Sequence, residues 1–153
     1  NMTYDGEYDV DVPTEQSELK KAITAGEFVF HKNGEDVCVL SDINSFTSVT
    51  NEMNEDFQLN QVIRVLDETA LQQAAIFNKK YLGKIQNNPS GRISFWGDCV
   101  DVCKKLQKIN AIEEFEPDDV TVEKGNGKRD VILKTALMPA CAMSKLYSTI
   151  YVS

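Results

Sequence analysis

The sequence predicts an α+β fold: a helical hairpin packed on a mostly antiparallel sheet, preceded by an N-terminal helix and a β-hairpin. Three observations predict it. Apolar residues recur every three or four positions over 59–81 and again over 93–109, the period of amphipathic helices. After Ile112 the period changes to two, with Val120 and Val122, Val131 and Leu133, and finally residues 146–152 alternating. Near the N-terminus, two β-rich runs flank Asn33-Gly34, a strong signal for a tight hairpin.

Taken in order, Val10, Asp11 and Val12 read as a short strand closed by Pro13. A helix follows, capped by Thr14 or Ser17, with Glu15 and Glu18 at its positive end, Leu19, Ala22 and Ile23 on one stripe, and Gly26 as its stop. Strands over 28–31 and 37–43 flank the turn Lys32-Asn33-Gly34-Glu35. Residues 44–55, rich in Ser, Thr and Asn, carry little periodicity and read as a connection. The long helix has Leu59, Val62, Ile63, Leu66, Ala70, Ala74, Phe77 and Tyr81 as its stripe and ends at Gly83. Asn87-Asn88-Pro89-Ser90-Gly91 breaks the chain before a second helix with Phe95, Trp96, Val100, Cys103, Leu106 and Ile109 on one side and Lys104, Lys105 and Lys108 toward the other. Two helices joined this way pack as a hairpin. Gly125-Asn126-Gly127 then turns the chain, Pro139 interrupts it, and the final alternating stretch makes a third C-terminal strand.

A chain of 153 residues, 42% apolar and 26% charged, suits one domain over 1–153. Such a domain buries roughly 70% of the surface its unfolded chain exposes. Its charge is uneven. Residues 1–56 hold Lys20, Lys21 and Lys32 against thirteen acids, whereas 57–153 hold thirteen bases against eleven acids. This marks 1–56 as an acidic α/β-hairpin lobe and 57–153 as the helix pair plus C-terminal sheet. Without a Lys/Arg stripe the chain lacks the footprint that phosphate backbones require, so no nucleic acid is expected as a partner. Segregated charge suits head-to-tail contacts between copies; the plainer reading is a solvated lobe. No run approaches the ~18 apolar residues of a membrane span, so no membrane insertion is expected. The opening Asn1-Met2 within a polar, strand-like run reads as a piece of a longer protein.

The search for chemistry assigns no catalytic, cofactor-binding or metal-binding residue. His31 is the single histidine, sits in a hairpin strand and has no nucleophile elbow to serve. Asp98 and Asp101, three apart on a helix, have the spacing to pair as carboxylates or to hold a hard cation; a solvated helix face is the plainer reading. Cys99 and Cys103 are four apart, but Cys38 and Cys141 add no paired spacing, so the four cysteines read as reduced thiols of intracellular origin and as small core fillers. Gly125-Asn126-Gly127 lacks the Lys-Ser/Thr of a phosphate loop. Trp96 beside Phe95 reads as core rather than a ligand-stacking surface.

The informative oddity is the terminal run of Leu146, Tyr147, Ser148, Thr149, Ile150, Tyr151 and Val152, which alternates without charge or proline. An uncovered edge strand is a template for another chain, so this run is either covered within the fold or pairs with a partner.

The run Asp56-Phe57, then Asn60-Gln61-Val62-Ile63-Arg64-Val65-Leu66-Asp67, Ile76-Phe77 and Tyr81-Leu82-Gly83-Lys84, resembles the tail sheath protein of contractile phages and phage-derived particles. Landmarks in the same order extend the likeness: Asn88 to Arg92, Leu106-Gln107 with Ala111-Ile112, Asp118 to Gly125, and Ala142-Met143-Ser144-Lys145-Leu146-Tyr147. Val10-Asp11-Val12 and Gly26-Glu27-Phe28-Val29-Phe30 carry it toward the N-terminus. The ordered series is similar to that family's C-terminal domain in the branch found in Gram-positive prophages and R-type-bacteriocin-like particles.

The resemblance implies a structural, non-enzymatic subunit, without cofactors, stacked as rings around an inner tube that contraction drives through a target envelope. Its implied partners are other sheath subunits, the inner tail tube protein and the baseplate, in a tail particle assembled in the bacterial host cytoplasm. Family subunits exchange terminal arms that add strands to neighbouring C-terminal sheets, which makes residues 146–152 the implied inter-subunit strand. Two alternatives stand beside it: another oligomeric tail or interaction module, and a small enzyme using His31 or the Asp98/Asp101 pair.

Overall fold

Helix α1 (Gln16–Thr24) begins after Glu15, whose side chain makes no cap; Ser17 lies inside the helix, and Thr14 falls outside the described residues. The computed structural model describes residues 2–13, 15–51 and 53–152 and divides into two compact units, Asn1–Ile63 with Ala142–Ser153, and Arg64–Cys141. No helix among the described residues is long and apolar enough to cross a membrane.

In the first unit, α1 stops at Gly26, which adopts φ +75° where a Cβ would stand 3.0 Å from Thr47 Cγ2 and 3.1 Å from the Ser45 backbone. Glycine alone fits that combination of conformation and crowding. Strands β1 (Phe30–Asn33) and β2 (Asp36–Val39) pair antiparallel from Phe30↔Val39 to Asn33↔Asp36. The hairpin turn is therefore Gly34-Glu35, one residue beyond the Asn-Gly pair, with Gly34 at φ +67°. The strand expected at residues 10–12 does not form. Residues 2–4 occupy the β2 edge instead: Tyr4 N–H donates to Val37 O at 2.7 Å and Val39 N–H donates to Met2 O at 2.9 Å. The connection after β2 is pinned by Asn44, whose Nδ2 donates to Phe57 O at 2.9 Å and whose Oδ1 accepts Phe46 N–H at 2.8 Å.

Helix α2 (Asn60–Ile76) continues into a wider π turn, Phe77–Tyr81, and the chain reverses at Gly83 with φ +68°. Its buried face follows the expected stripe only in part. Val62 and Tyr81 of that stripe are buried and Phe77 packs partly against the core, but Ala70 and Ala74 are exposed, and Thr69 and Gln73 are buried instead, with Val65 and Ile76 partly packed on the core. Helix α3 (Pro89–Lys108) starts four residues before the expected 93. The Asn88-Pro89 breaker is its cap: Asn88 Oδ1 accepts Gly91 N–H at 2.8 Å and Pro89 opens the first turn, where its missing N–H costs nothing. At the other end Asn110 takes φ +57° and Ala111 N–H donates to Leu106 O at 2.9 Å, a left-handed C-terminal cap.

After α3 the chain forms β3 (Ile112–Glu113), β4 (Val120–Lys124), β5 (Val131–Thr135) and β6 (Met138–Pro139). β4 pairs β5 and β3 pairs β6, both antiparallel. Phe95, Cys99, Val102, Cys103 and Leu106 of α3 pack with Ile112, Phe115 and Val120 as the core, with Val122, Val131 and Leu133 at its margin. Each such buried valine, leucine or phenylalanine stabilises the fold by about 1.5–3 kcal/mol relative to exposure. Trp96 joins this packing half-buried, its Nε1 donating to Val120 O at 2.8 Å. The α+β class and the helical hairpin against antiparallel strands are thus present.

The third C-terminal strand is not. Residues 146–152 do not join the domain's own sheet and are exposed along their whole length. Pairing ends where Ala140 N–H donates to Ala111 O at 3.0 Å, one residue past Pro139, which has no N–H to donate.

Candidate assembly interface

Residues 143–152 make no hydrogen bond with other described residues; the last rung before them is Ala142 N–H donating to Gln61 Oε1 at 3.2 Å. Leu146, Ile150 and Val152 are 89%, 87% and 98% exposed, and Tyr147 and Tyr151 are each 89% exposed. In extended form Leu146, Ser148, Ile150 and Val152 fall on one face and Tyr147, Thr149 and Tyr151 on the other. The run combines β-branched and aromatic residues with unpaired backbone groups, a template for intermolecular pairing. Strand-edge acceptors exist in the second unit, where among the described residues the β4–β5 and β3–β6 pairs are each only two strands wide. On the solvent face of β4–β5, Lys134 Nζ lies 3.6 Å from Glu123 Oε2, and Ile132 is 41% exposed.

The polar residues singled out from the sequence separate into different roles. Asp98 is not paired with Asp101, which is exposed; it binds Lys80 Nζ at 2.8 Å and the Tyr81 hydroxyl at 2.6 Å. These two hydrogen bonds, Lys80 first, hold the Asp98 carboxyl below the usual carboxylate range. Burial, then the bond to Asp98, pushes the Tyr81 hydroxyl up. The arrangement joins the end of α2 to α3. His31 is half-buried on β1 opposite Cys38 and makes no side-chain hydrogen bond among the described residues. Cys99 and Cys103 are fully buried, and burial pushes the Cys99 thiol up to about 12 and raises Cys103 as well. Such thiols are protonated at neutral pH and behave as small apolar fillers.

A feature the sequence did not signal is a cleft of about 340 Å³ in the second unit. Its floor holds Phe77, Tyr81 and Phe95, with Phe77 meeting Phe95 edge-on at a centroid distance of 5.4 Å and Tyr81 tilted against Phe95 at 5.0 Å. Lys84, Arg92, Lys128 and Arg129 line it, and among the described residues no acid does. Asn87 braces one wall by donating to Asp130 O at 2.8 Å and to Lys128 O at 3.3 Å, while Arg92 donates to Asn87 Oδ1 at 2.9 Å. The bases lie at 84, 92, 128 and 129, without a common period, so only the fold reveals that they converge.

Residues 52–153 match the family model of the phage tail sheath C-terminal domain. The chain belongs to the phage tail sheath family. Two solved relatives share its fold at TM-scores of 0.74 and 0.78, namely the sheath tail proteins of Desulfitobacterium hafniense and Listeria innocua. The first is 33% identical, over 82% of this chain and 29% of that one; the second is 26% identical, over 90% and 33%. Two Bacillus subtilis (strain 168) proteins align with 99% of the chain: YqbK at 30% identity and the phage-like element PBSX protein XkdK at 27%. The chain spans 34% of the length of each of these two relatives.

Proposed function

We propose that this sheath domain serves a structural subunit of a contractile tail, polymerised around an inner tube and contracting to drive that tube through a target cell envelope. The partners of this reading are neighbouring sheath subunits, the tube protein and the baseplate, and its setting is a phage tail or bacteriocin-like particle assembled in the host cytoplasm. The role calls for no catalytic residue. The observation that carries it is the alternating run 146–152, exposed and unpaired in a single chain whose own antiparallel pairs are two strands wide. In a polymer the run would add a strand to a neighbour's pair, exchanging solvent-facing backbone groups for main-chain hydrogen bonds of about 0.5–1.5 kcal/mol net each. Many such joints keep subunits linked while rigid domains swing between two packings.

The test uses the full-length protein. Deleting residues 146–153, or introducing Ile150→Pro to remove one ladder donor, should abolish or loosen tubes seen by negative-stain microscopy, with circular dichroism showing that each variant stays folded. Ordinary tubes from folded variants would overturn the strand-exchange role.

A further inference from the structure

The basic, aromatic-floored cleft of the second unit has no part in the strand exchange, yet its surroundings say what it suits. Lys84 Nζ donates to Lys79 O and Arg92 to Asn87, which leaves Lys128 and Arg129 as exposed cations without an ion pair among the described residues. The nearest acid in their loop, Asp130, directs Oδ2 to Gly127 N–H at 2.8 Å. An apolar floor under a one-signed rim fits an extended ligand with carboxylates on one side and an apolar group on the other.

The chain contains such a segment. Asp5, Glu7, Asp9 and Asp11 occupy alternate positions with Tyr8 between them, so that in extended form the Tyr8 ring falls on the face opposite the acids; in the single chain Glu7 and Tyr8 sit at a bend and Val10 is half-buried. Residues 5–11 make no hydrogen bond with the described residues, and Tyr8 is 80% exposed. Residues 5–11 and the Lys128–Arg129 rim of the cleft are therefore complementary in charge, and neither has an ion pair among the described residues.

We propose that the cleft of one copy receives residues 5–11 of a second copy, with the Tyr8 ring seated toward the Phe77 and Phe95 floor and the acids facing Lys128 and Arg129. The contact is head-to-tail, so it propagates from copy to copy instead of closing as a symmetric pair. It stands independently of the strand exchange by residues 146–152.

Two variants of the 153-residue chain test it by sedimentation velocity: a cleft variant, Lys128→Gln with Arg129→Gln, and a segment variant, Tyr8→Ala with Asp9→Asn. All four positions are exposed, so both variants should keep the wild-type circular dichroism. The wild-type chain should self-associate at concentrations up to about 1 mM, the range of a weak surface contact. The association should weaken with added salt, and each variant should associate at least ~10-fold more weakly. Mixed in equal amounts, the two variants should form a 1:1 pair, because one retains the cleft and the other the segment. A monomeric wild-type chain, variants that associate like wild type, or a mixture that stays monomeric would each overturn the proposal. Loss of tubes on deleting residues 146–153 is a separate outcome, so failure of either joint is read apart from the other.

Discussion

The Tyr81 hydroxyl donates a 2.6 Å hydrogen bond to Asp98 Oδ2, and Lys80 Nζ holds the other oxygen of the same carboxylate at 2.8 Å. Ser94 Oγ, 3.1 Å from the Tyr81 oxygen, completes the chain by donating to it. One carboxylate on α3 thus gathers two consecutive side chains from the end of the π turn. The wider turn brings Tyr81 onto the core, where its ring meets Phe95, while Lys80 stays in solvent.

This relationship sets a pH dependence. Asp98 is depressed from its ordinary 3.8, so its contribution is present above that pH and disappears as the pH falls through the lowered value. Tyr81 and Lys80 are raised from 10.0 and 10.5, so theirs is present below those values and is lost as the pH climbs past them. At neutral pH Tyr81→Phe should cost about 1.5–3 kcal/mol, the range for a hydrogen bond to a charged group. The stability gap between wild type and Asp98→Asn should be widest near neutrality and shrink in strong acid. Urea denaturation at several pH values measures both; a gap that stays constant into acid would show that the carboxylate's charge is irrelevant.

Two leucines on matching predicted stripes should now behave differently. Leu106 is 6% exposed in the core, so Leu106→Ala should cost ~2–5 kcal/mol. Leu66 is half-buried and lies outside that cluster, so Leu66→Ala should cost only about 1 kcal/mol. Chemical denaturation giving equal losses would place Leu66 back in the core.

The reason for that difference shows how far the sequence could be read. Hydrophobic period located both long helices, because α3 buries a continuous apolar side from Phe95 to Leu106. On α2 the same criterion found the buried Val62 but also selected the exposed Ala70 and Ala74, where the inward positions are Thr69 and Gln73, polar residues that period counting discards. A buried polar residue becomes readable only when its partner is known, and Thr135 lies 62 residues away. Asn88-Pro89 was legible as punctuation, but a cap and a loop share that chemistry. For residues 146–152 the alternation was visible while its owner was not, since an edge strand pairs equally well within a chain or between chains. The cleft was hidden because convergence of four scattered bases is a property of the fold.

Gln73 and Thr135 offer a direct check on that polar face. Gln73 is buried, donates to Thr135 Oγ1 at 3.0 Å, and Thr69 Oγ1 donates to Val65 O at 2.8 Å beside it. Thr135→Val removes the acceptor and leaves the amide without its partner, so it should cost about 1–3 kcal/mol. Combining it with Gln73→Leu should recover much of the loss, because removing both partners is far cheaper than orphaning one. A double variant no more stable than Thr135→Val alone would mean that the hydrogen bond is not what this face depends on.

Thiol reactivity should divide the four cysteines by burial. Cys141 is exposed, while Cys38, Cys99 and Cys103 are buried, and Cys38 lies with its sulfur 3.8 Å from Thr3 Oγ1. The nucleophile is the thiolate, and a Cys99 thiol pushed up to about 12 supplies almost none at neutral pH. Cys103 is shifted in the same direction by the same burial. Titration of the native chain with an aromatic disulfide reagent should therefore give one fast equivalent, removed by Cys141→Ser, and three slow ones. The slow ones should react at a rate set by opening of the fold, and all four should react promptly in denaturant. Cys38 should open before the α3 pair, because it sits on a short hairpin strand while Cys99 and Cys103 lie at the centre of the α3 core. Fast native labelling of Cys99 or Cys103 would contradict the packing of α3 against β3 and β4.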